Sequence, residues 1–375
     1  MKVQQISLSQ DTWKTDLENL NIPANLFLLF VSIGFNDKEA LLDTLSGGYP
    51  DAIIVGCSTA GEINDVQVVD NTVSLSAVQM EKVQLRSESV ILDDMKNSYK
   101  TGQELAKKLH ADNLSHSFIL SDGLNVNGAD LVSGLKSVIT NTSITGGLAG
   151  DAGAFKETFV IDGGEMKDKT VVGVGFYGDQ LKVGHSSKGG WDSFGIERLV
   201  TKSEKNILYE LDGKPALELY KSFLGEEAAN LPSSGLLFPL SMRLNESSKP
   251  LVRTILGINE EDQSLTFAGN INQGSYVRLM KANVDRLING AENSAILAAE
   301  SIQEEAELAI LISCVGRRLV LKQLIEEEVE AVRFVLGHKP KITGFYSYGE
   351  IAPHGEFSSC ELHNQTMTIT TLSEC

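Results

Sequence analysis

The residues best suited to chemistry in this chain gather at strand ends bracketed by glycine. Gly56-Cys57-Ser58-Thr59-Ala60-Gly61-Glu62-Ile63 offers a thiol and a carboxylate. Gly344-Phe345-Tyr346-Ser347-Tyr348-Gly349-Glu350-Ile351 repeats the spacing of a glycine, four residues and then Gly-Glu-Ile, without the thiol. A shorter version, Gly146-Gly147-Leu148-Ala149-Gly150-Asp151, carries aspartate for glutamate. Carboxylates at Glu62, Asp151 and Glu350 could hold a metal, move protons or bind a ligand's amine. The plainer role is to accept backbone N–H bonds in tight loops. Cys57 would serve as a nucleophile only with a base beside it. No histidine stands at an informative spacing, and the other copies place Gly147 and Phe345 there, so a small buried cysteine is expected. Tyr346 and Tyr348, at i and i+2, share one face of a strand and could line an apolar ligand site. Phosphate-loop, HExxH and GxSxG motifs are absent from the sequence, and the glycines of 146–153 do not follow a dinucleotide fingerprint.

Hydrophobic periodicity supplies the elements that must hold these residues. Leu26–Ile33 is a near-continuous apolar run, as in a strand buried on both faces. Asn36-Asp37 can cap a helix through Leu45. Strand 52–55 leads into the first glycine-bracketed loop. Thr72–Val78 alternates polar and apolar, with Val83–Leu92 expected as its antiparallel neighbour. A helix over 98–110, a strand at 117–120 and a helix over 128–139 precede the middle glycine cluster. Asp162-Gly163-Gly164 turns a hairpin within 158–166, and 170–177, 181–185 and 196–200 read as strands. A helix over 215–223 and hairpin strands at 251–258 and 265–268 follow. Then come a helix over 283–304, a strand at 308–313, a long helix over 317–336 with an acidic face at Glu326–Glu328, and closing strands at 342–348 and 367–372.

Three stretches share one order: a strand, a helix, a glycine-bounded strand end, and a strand opening with threonine (Thr72, Thr170, Thr366). The first and third match well and the middle one more loosely. Duplicated strand–helix–strand units favour parallel pairing with right-handed crossovers. The expected fold is therefore α/β in the mixed α+β sense, with two large mixed sheets and outer helices. The expected division is an N-terminal extension at 1–24, a first domain at 25–224, a linker at 225–235 rich in Pro, Ser, Gly and charge, and a second domain at 236–375.

The chain has 375 residues, with 32 Lys and Arg against 50 Asp and Glu, a formal net charge of −18. That balance argues against nucleic acid or an anionic membrane as partner, because no basic surplus is available to displace phosphate counterions. The four cysteines show no metal-like spacing. Without a secretion-type leader or a membrane-length apolar run, the expected compartment is the cytoplasm.

The strings Gly56-Cys-Ser-Thr-Ala-Gly-Glu-Ile63, Gly146-Gly-Leu-Ala-Gly-Asp151, Gly344-Phe-Tyr-Ser-Tyr-Gly-Glu-Ile-Ala-Pro353 and Cys360-Glu-Leu-His-Asn-Gln-Thr-Met-Thr368 resemble the FIST family, over about residues 25–370. The resemblance implies an intracellular sensory protein with N-terminal and C-terminal FIST regions. Such a protein binds a small ligand and signals through a separate histidine kinase, cyclic-di-nucleotide enzyme or chemotaxis component. Some stand-alone members bind haem and sense nitric oxide, and this chain resembles a stand-alone member. Haem needs an axial ligand, usually histidine, in an apolar pocket. Of the six histidines, His363 ranks first because it lies in a family-matching string, with His354 and His185 as alternatives. His110 and His116 read as solvated loop residues, and His338 as a helix-end residue. The ligand-site candidates are thus Cys57, Glu62, Asp151, Tyr346, Tyr348, Glu350 and His363. A metabolite sensor, with paired Gly-Glu loops holding an amino acid or other charged compound, and a cysteine-dependent hydrolase or transferase are the alternative readings.

Overall fold

Three six-stranded mixed sheets are built on one plan, and an eight-stranded antiparallel sheet is inserted beside them. The structure is a computed structural model describing residues 1–302, 304–354 and 359–375. The expected helix end at 303–304 thus falls partly outside the described residues.

Each unit has a central strand that is buried throughout or, in the second unit, at every residue but Ser115: Leu26–Ser32, Leu114–Ser121 or Leu308–Cys314. Each central strand pairs in parallel with the strand after its helix: Ile53–Thr59, Ser143–Leu148 or Lys341–Ser347. On its other side runs an antiparallel return strand: Thr72–Gln79, Thr170–Tyr177 or Met367–Glu374. The continuous apolar runs fit central positions because both faces are covered: one by the shared interior, the other by helices.

The sheets are completed by exchange. The hairpin Glu62–Asn64/Gln67–Val69 of the first unit joins the third unit's sheet. The hairpin Val160–Asp162/Glu165–Lys167 of the second joins the first unit's sheet. The hairpin Gly349–His354/Ser359–His363 of the third joins the second unit's sheet. This cyclic handover ties every unit to the next, and it makes the expected three-fold repeat a property of the fold. The fold is mixed α+β as expected, with three large mixed sheets and a fourth, antiparallel one where the sequence suggested two.

The inner faces of the three sheets meet in one apolar interior containing Leu28, Phe30, Phe118, Leu120, Ile310, Ile312 and Phe345. Phe30 and Phe345 stack there with centroids 4.7 Å apart, a contact contributing about 0.5–1.5 kcal/mol beyond the area buried. Helices cover the outer faces. Lys38–Gly48 buries Leu41, Leu42 and Leu45 on the first sheet. Ser98–Leu109 and Gly128–Lys136 pack together on the second, and Val284–Ile302 and Ile325–Leu336 on the third.

Several expectations change. Gln84–Ile91 does not pair with Thr72–Gln79; it joins Thr170–Tyr177 at the edge of the second sheet. A strand's own sequence specifies burial and period, not its partner. Residues 1–24 are no appendage: Lys2–Ser9 pairs along the whole length of Thr72–Gln79. The stretch 225–235 is not a free linker but two 3-10 turns, Gly225–Asn230 and Ser233–Leu237, with Ser234 and Gly235 buried. The third unit consists of Leu181–Lys188 plus the described elements from Val284–Ile302 to Met367–Glu374, and the strands, turns and helix Ala216–Leu224 between Asp192 and Lys281 form the inserted part. That part has its own core of Val200, Leu208, Leu217, Tyr220, Ile255 and Phe267.

The helix expected over 317–336 is broken into Val315–Leu321 and Ile325–Leu336 by Lys322, whose φ is 51°. Its acidic face is not wholly solvated. Glu328 is buried and accepts Arg317 Nη2 at 2.6 Å, Arg317 Nε at 3.0 Å, Ser313 Oγ at 3.0 Å and the Tyr346 hydroxyl at 2.6 Å. Asp37 precedes its helix, but its carboxylate accepts Trp13 Nε1 and Gln10 Nε2 and caps no helical N–H.

Candidate functional site

The glycine-bracketed strand ends are where the exchanged hairpins cross. A Cβ on Gly56, Gly146 or Gly344 would lie 2.0, 1.8 or 1.9 Å from the carbonyl oxygen of Leu29, Ile119 or Leu311 on the adjoining central strand. Only glycine fits such an approach. Glu62 then pairs opposite Phe345, and Glu350 opposite Gly147. The two glutamates are bound alike. Glu62 accepts the Thr59 hydroxyl, and its other oxygen accepts the amide and hydroxyl of Thr72 at 3.3 and 3.0 Å. Glu350 accepts Ser347 Oγ at 2.7 Å, and the amide and hydroxyl of Thr366 at 3.2 and 2.9 Å. Burial raises Glu62 to about 7 and Glu350 to about 8, against the opposing pull of these hydrogen bonds.

Asp151 is not their counterpart in space. Val160 occupies the position opposite Cys57, because residues 151–159 intervene before the crossing strand. Asp151 instead accepts the amides of Phe155, Lys156 and Glu157 at 2.6–3.0 Å and the Tyr348 hydroxyl. Among the described residues the three carboxylates share no hydrogen-bond partner. Among the described residues no group of three or more His, Cys, Asp or Glu is arranged to hold a metal ion.

The tyrosines are likewise committed. Tyr346 donates to Glu328, and Tyr348 donates to Asp151 while Phe155 stacks on its ring at 4.3 Å. Cys57 is wholly buried in the apolar interior, where burial pushes its thiol well above the usual range. A thiol held that way is a core residue and a poor nucleophile.

The histidines separate into three settings. His363 is buried, donates Nε2 to the Ala352 carbonyl at 3.2 Å, and is lowered to about 3 by burial, with His354 and Arg253 adding to the effect. His185 lies opposite Thr370 on the edge strand of the third sheet, half-buried, with its pKa lowered chiefly by burial. His116, expected in solvent, is completely buried and bonded to Ser143 Oγ at 2.8 Å and Thr145 Oγ1 at 3.1 Å. It belongs to a strand, Leu114–Ser121, that begins three residues before the expected 117–120 stretch. His354, half-buried, stands at a cleft, its ring centroid 5.3 Å from that of His363.

That cleft, of about 410 Å³, is the candidate site. One wall is the helix Gly128–Lys136 with the hairpin of the third unit, contributing Ala129, Ser133, Lys136, His354 and Glu361. The other wall belongs to the inserted part, with Met242, Leu251, Arg253, Asn270 and Lys249. Small-molecule sites favour such junctions between separately cored parts. Polar links cross the junction. Asn127 Nδ2 donates to Asn270 Oδ1 at 2.9 Å, Asn270 Nδ2 donates to Asp130 at 2.8 Å, and Arg253 Nη1 donates to the Leu362 carbonyl at 3.0 Å. On the first wall Lys136 pairs with Glu361 at 2.6 Å.

Arg253 is the unusual member. It is 3% exposed, and its Nε and Nη1 are held by the carbonyls of Asn270, Val252 and Leu362. No carboxylate pairs with it among the described residues. Burial lowers it to about 10, with Glu361 opposing. Arg253, Lys249 and Lys136 come from separate stretches with no spacing signal, so the sequence does not mark them. The cleft became visible only with the junction.

The chain is 27% identical over 366 aligned positions to an uncharacterized protein of Methanocaldococcus jannaschii, covering 87% of this chain and 70% of that protein. Solved structures of cyanuric acid hydrolase match over the full chain at low similarity. One has 8% identity and a TM-score of 0.37, covering 99% of its chain. Another, from A. caulinodans, has 6% identity and a TM-score of 0.38, again covering 99%. The FIST N domain matches residues 25–214 and the FIST C domain residues 216–353, and the chain belongs to the FIST family.

Proposed function

We propose that this protein is a small-ligand sensor whose ligand sits in the cleft between the three-sheet body and the inserted part. FIST domains are signal-transduction sensor domains that bind small ligands. The observation that carries the location is the cleft itself: about 410 Å³, with both separately cored parts in its walls. A ligand there touches both parts and can shift their relative arrangement by its differential affinity. Output then passes to a separate signalling protein, such as a histidine kinase or a cyclic-di-nucleotide enzyme. No helix among the described residues is long and apolar enough to cross a membrane.

Haem-based nitric-oxide sensing is a less favoured form of this reading. His363 is closed in and its Nε2 is occupied, and His185, on an edge strand, is not among the residues lining the cleft. His354 meets the cleft, yet its Nε2 donates to the Lys249 carbonyl at 3.4 Å, and Lys136, Lys249, Arg253 and Glu361 are among the lining residues. These residues do not fit the apolar slot that the macrocycle needs. A cysteine-dependent enzyme loses its nucleophile with the burial of Cys57.

Ser133→Trp on the helix wall fills the cleft without touching the core. Small molecules released from the purified wild-type protein by denaturation, identified by mass spectrometry, should be missing from the variant. The same compound recovered equally from both proteins would remove the cleft as the site. A Soret band after haem reconstitution, abolished by His354→Ala, would restore the haem form.

A further inference from the structure

We infer that the cleft takes an organic monocarboxylate with an apolar body, seated on the guanidinium of Arg253. The inference rests on the cleft being the ligand site and adds the chemical class of the ligand.

A guanidinium this deeply buried ordinarily meets a carboxylate, because an unpaired buried charge is costly. Arg317 shows the ordinary solution in the same chain, with Glu328 in contact and every polar atom of the pair engaged. Arg253 has three carbonyl acceptors, and Nη2 has no hydrogen bond to any described residue. Its nearest acidic influence, Glu361, is already bonded to Lys136 Nζ at 2.6 Å. The lining of the cleft thus sets the charges of Arg253, Lys249 and Lys136 against Glu361 alone, and burial lowers the pKa of His354 beside them. An arriving anion would supply the missing partner.

The rest of the lining narrows the class. With Nε and Nη1 engaged, Arg253 has one nitrogen, Nη2, without a partner among the described residues, which suits a single carboxylate oxygen better than a phosphate needing several donors. Lys249, on the rim, supplies a second cation. Ala129, Met242, Leu244 and Leu251 give the body of the ligand an apolar wall. Glu361 is spent on Lys136, so no free carboxylate awaits a ligand ammonium, which disfavours an amino-acid zwitterion.

Titration calorimetry on the full chain provides the test. The probes are hexanoate, octanoate and benzoate, their three amides, and inorganic phosphate. At least one carboxylate should bind, its amide and phosphate at least 30-fold more weakly. Arg253→Gln should lower the carboxylate affinity by about 30-fold or more, the usual result of removing a buried charged partner. If Arg253→Gln does not fold, Lys249→Gln on the exposed rim should weaken binding by about 3- to 10-fold and flatten its salt dependence. An amide or phosphate that binds as well as the carboxylates, and is lost in Ser133→Trp, would overturn the carboxylate class while leaving the cleft as the site. Carboxylate binding unchanged in both Ser133→Trp and the Arg253 or Lys249 variant would overturn both. Failure of every carboxylate to bind would overturn the inference, and the compounds released from wild type and Ser133→Trp would then judge the cleft separately.

Discussion

Replacing Glu350 with glutamine should remove a pH dependence of stability that the wild-type protein carries. The carboxyl is wholly buried where the third unit's hairpin crosses into the second sheet. Burial raises it from 4.5 to about 8, although Ser347, Thr366 and the charge of Arg317 act in the opposite direction. The folded protein therefore holds this proton more tightly than the unfolded chain. The stabilisation is complete below pH 4.5 and is lost as pH rises through about 8. At 1.36 kcal/mol per pH unit, the loss across that window is about 4–5 kcal/mol. Glutamine keeps an oxygen for Thr366 and can never ionise. Urea unfolding followed by circular dichroism at pH 5, 7 and 9 reads the difference directly. Wild type and variant should agree within about 1 kcal/mol at pH 5, and the variant should be more stable by roughly 3–5 kcal/mol at pH 9. Glu62 shifts the same way, to about 7, so a smaller slope persists in the variant. Parallel stability curves with a constant offset would refute the reasoning, because they would mean that Glu350 titrates in the fold as it does in the unfolded chain.

Three further outcomes test the scaffold. Glu328→Gln leaves the buried Arg317 without its anion and should cost about 3–5 kcal/mol in urea unfolding. Gly344→Ala drives a methyl to 1.9 Å from the Leu311 carbonyl and should leave little soluble folded protein. Gly47→Ala, with nothing within 4 Å, should be neutral or slightly stabilising in thermal melts. A thiol reagent should label only Cys375 in the native protein, and all four cysteines after denaturation, since Cys57, Cys314 and Cys360 are buried.

The repeated units were legible because each carries its signal locally: an apolar run for the central strand, a glycine where backbones touch, and a threonine that donates to a buried glutamate in two of the three copies. Exchange of the hairpins was not legible. Val160 faces Cys57, and Gln84–Ile91 faces Thr170–Tyr177, through contacts decided by three-dimensional closure. The shared glycine–carboxylate step groups Asp151 with Glu62 and Glu350, although eight residues, 152–159, separate it from the crossing strand. Polarity misled at Glu328 and His116, charged or polar residues whose partners lie in other elements. The ligand site followed the same rule. The motif residues mostly build the crossings, whereas the cleft draws Ser133, Arg253, Asn270, His354 and Glu361 from four separate stretches.

Hydrogen–deuterium exchange with and without a probe that binds in the calorimetric panel tests the location of the site most directly. Ligand in the cleft predicts added protection in 128–136, 240–253 and 349–354, on both walls, with 53–63 and 341–347 unchanged. Protection confined to 53–63 and 341–347, with both cleft walls unaffected, would contradict the cleft as the sensing site.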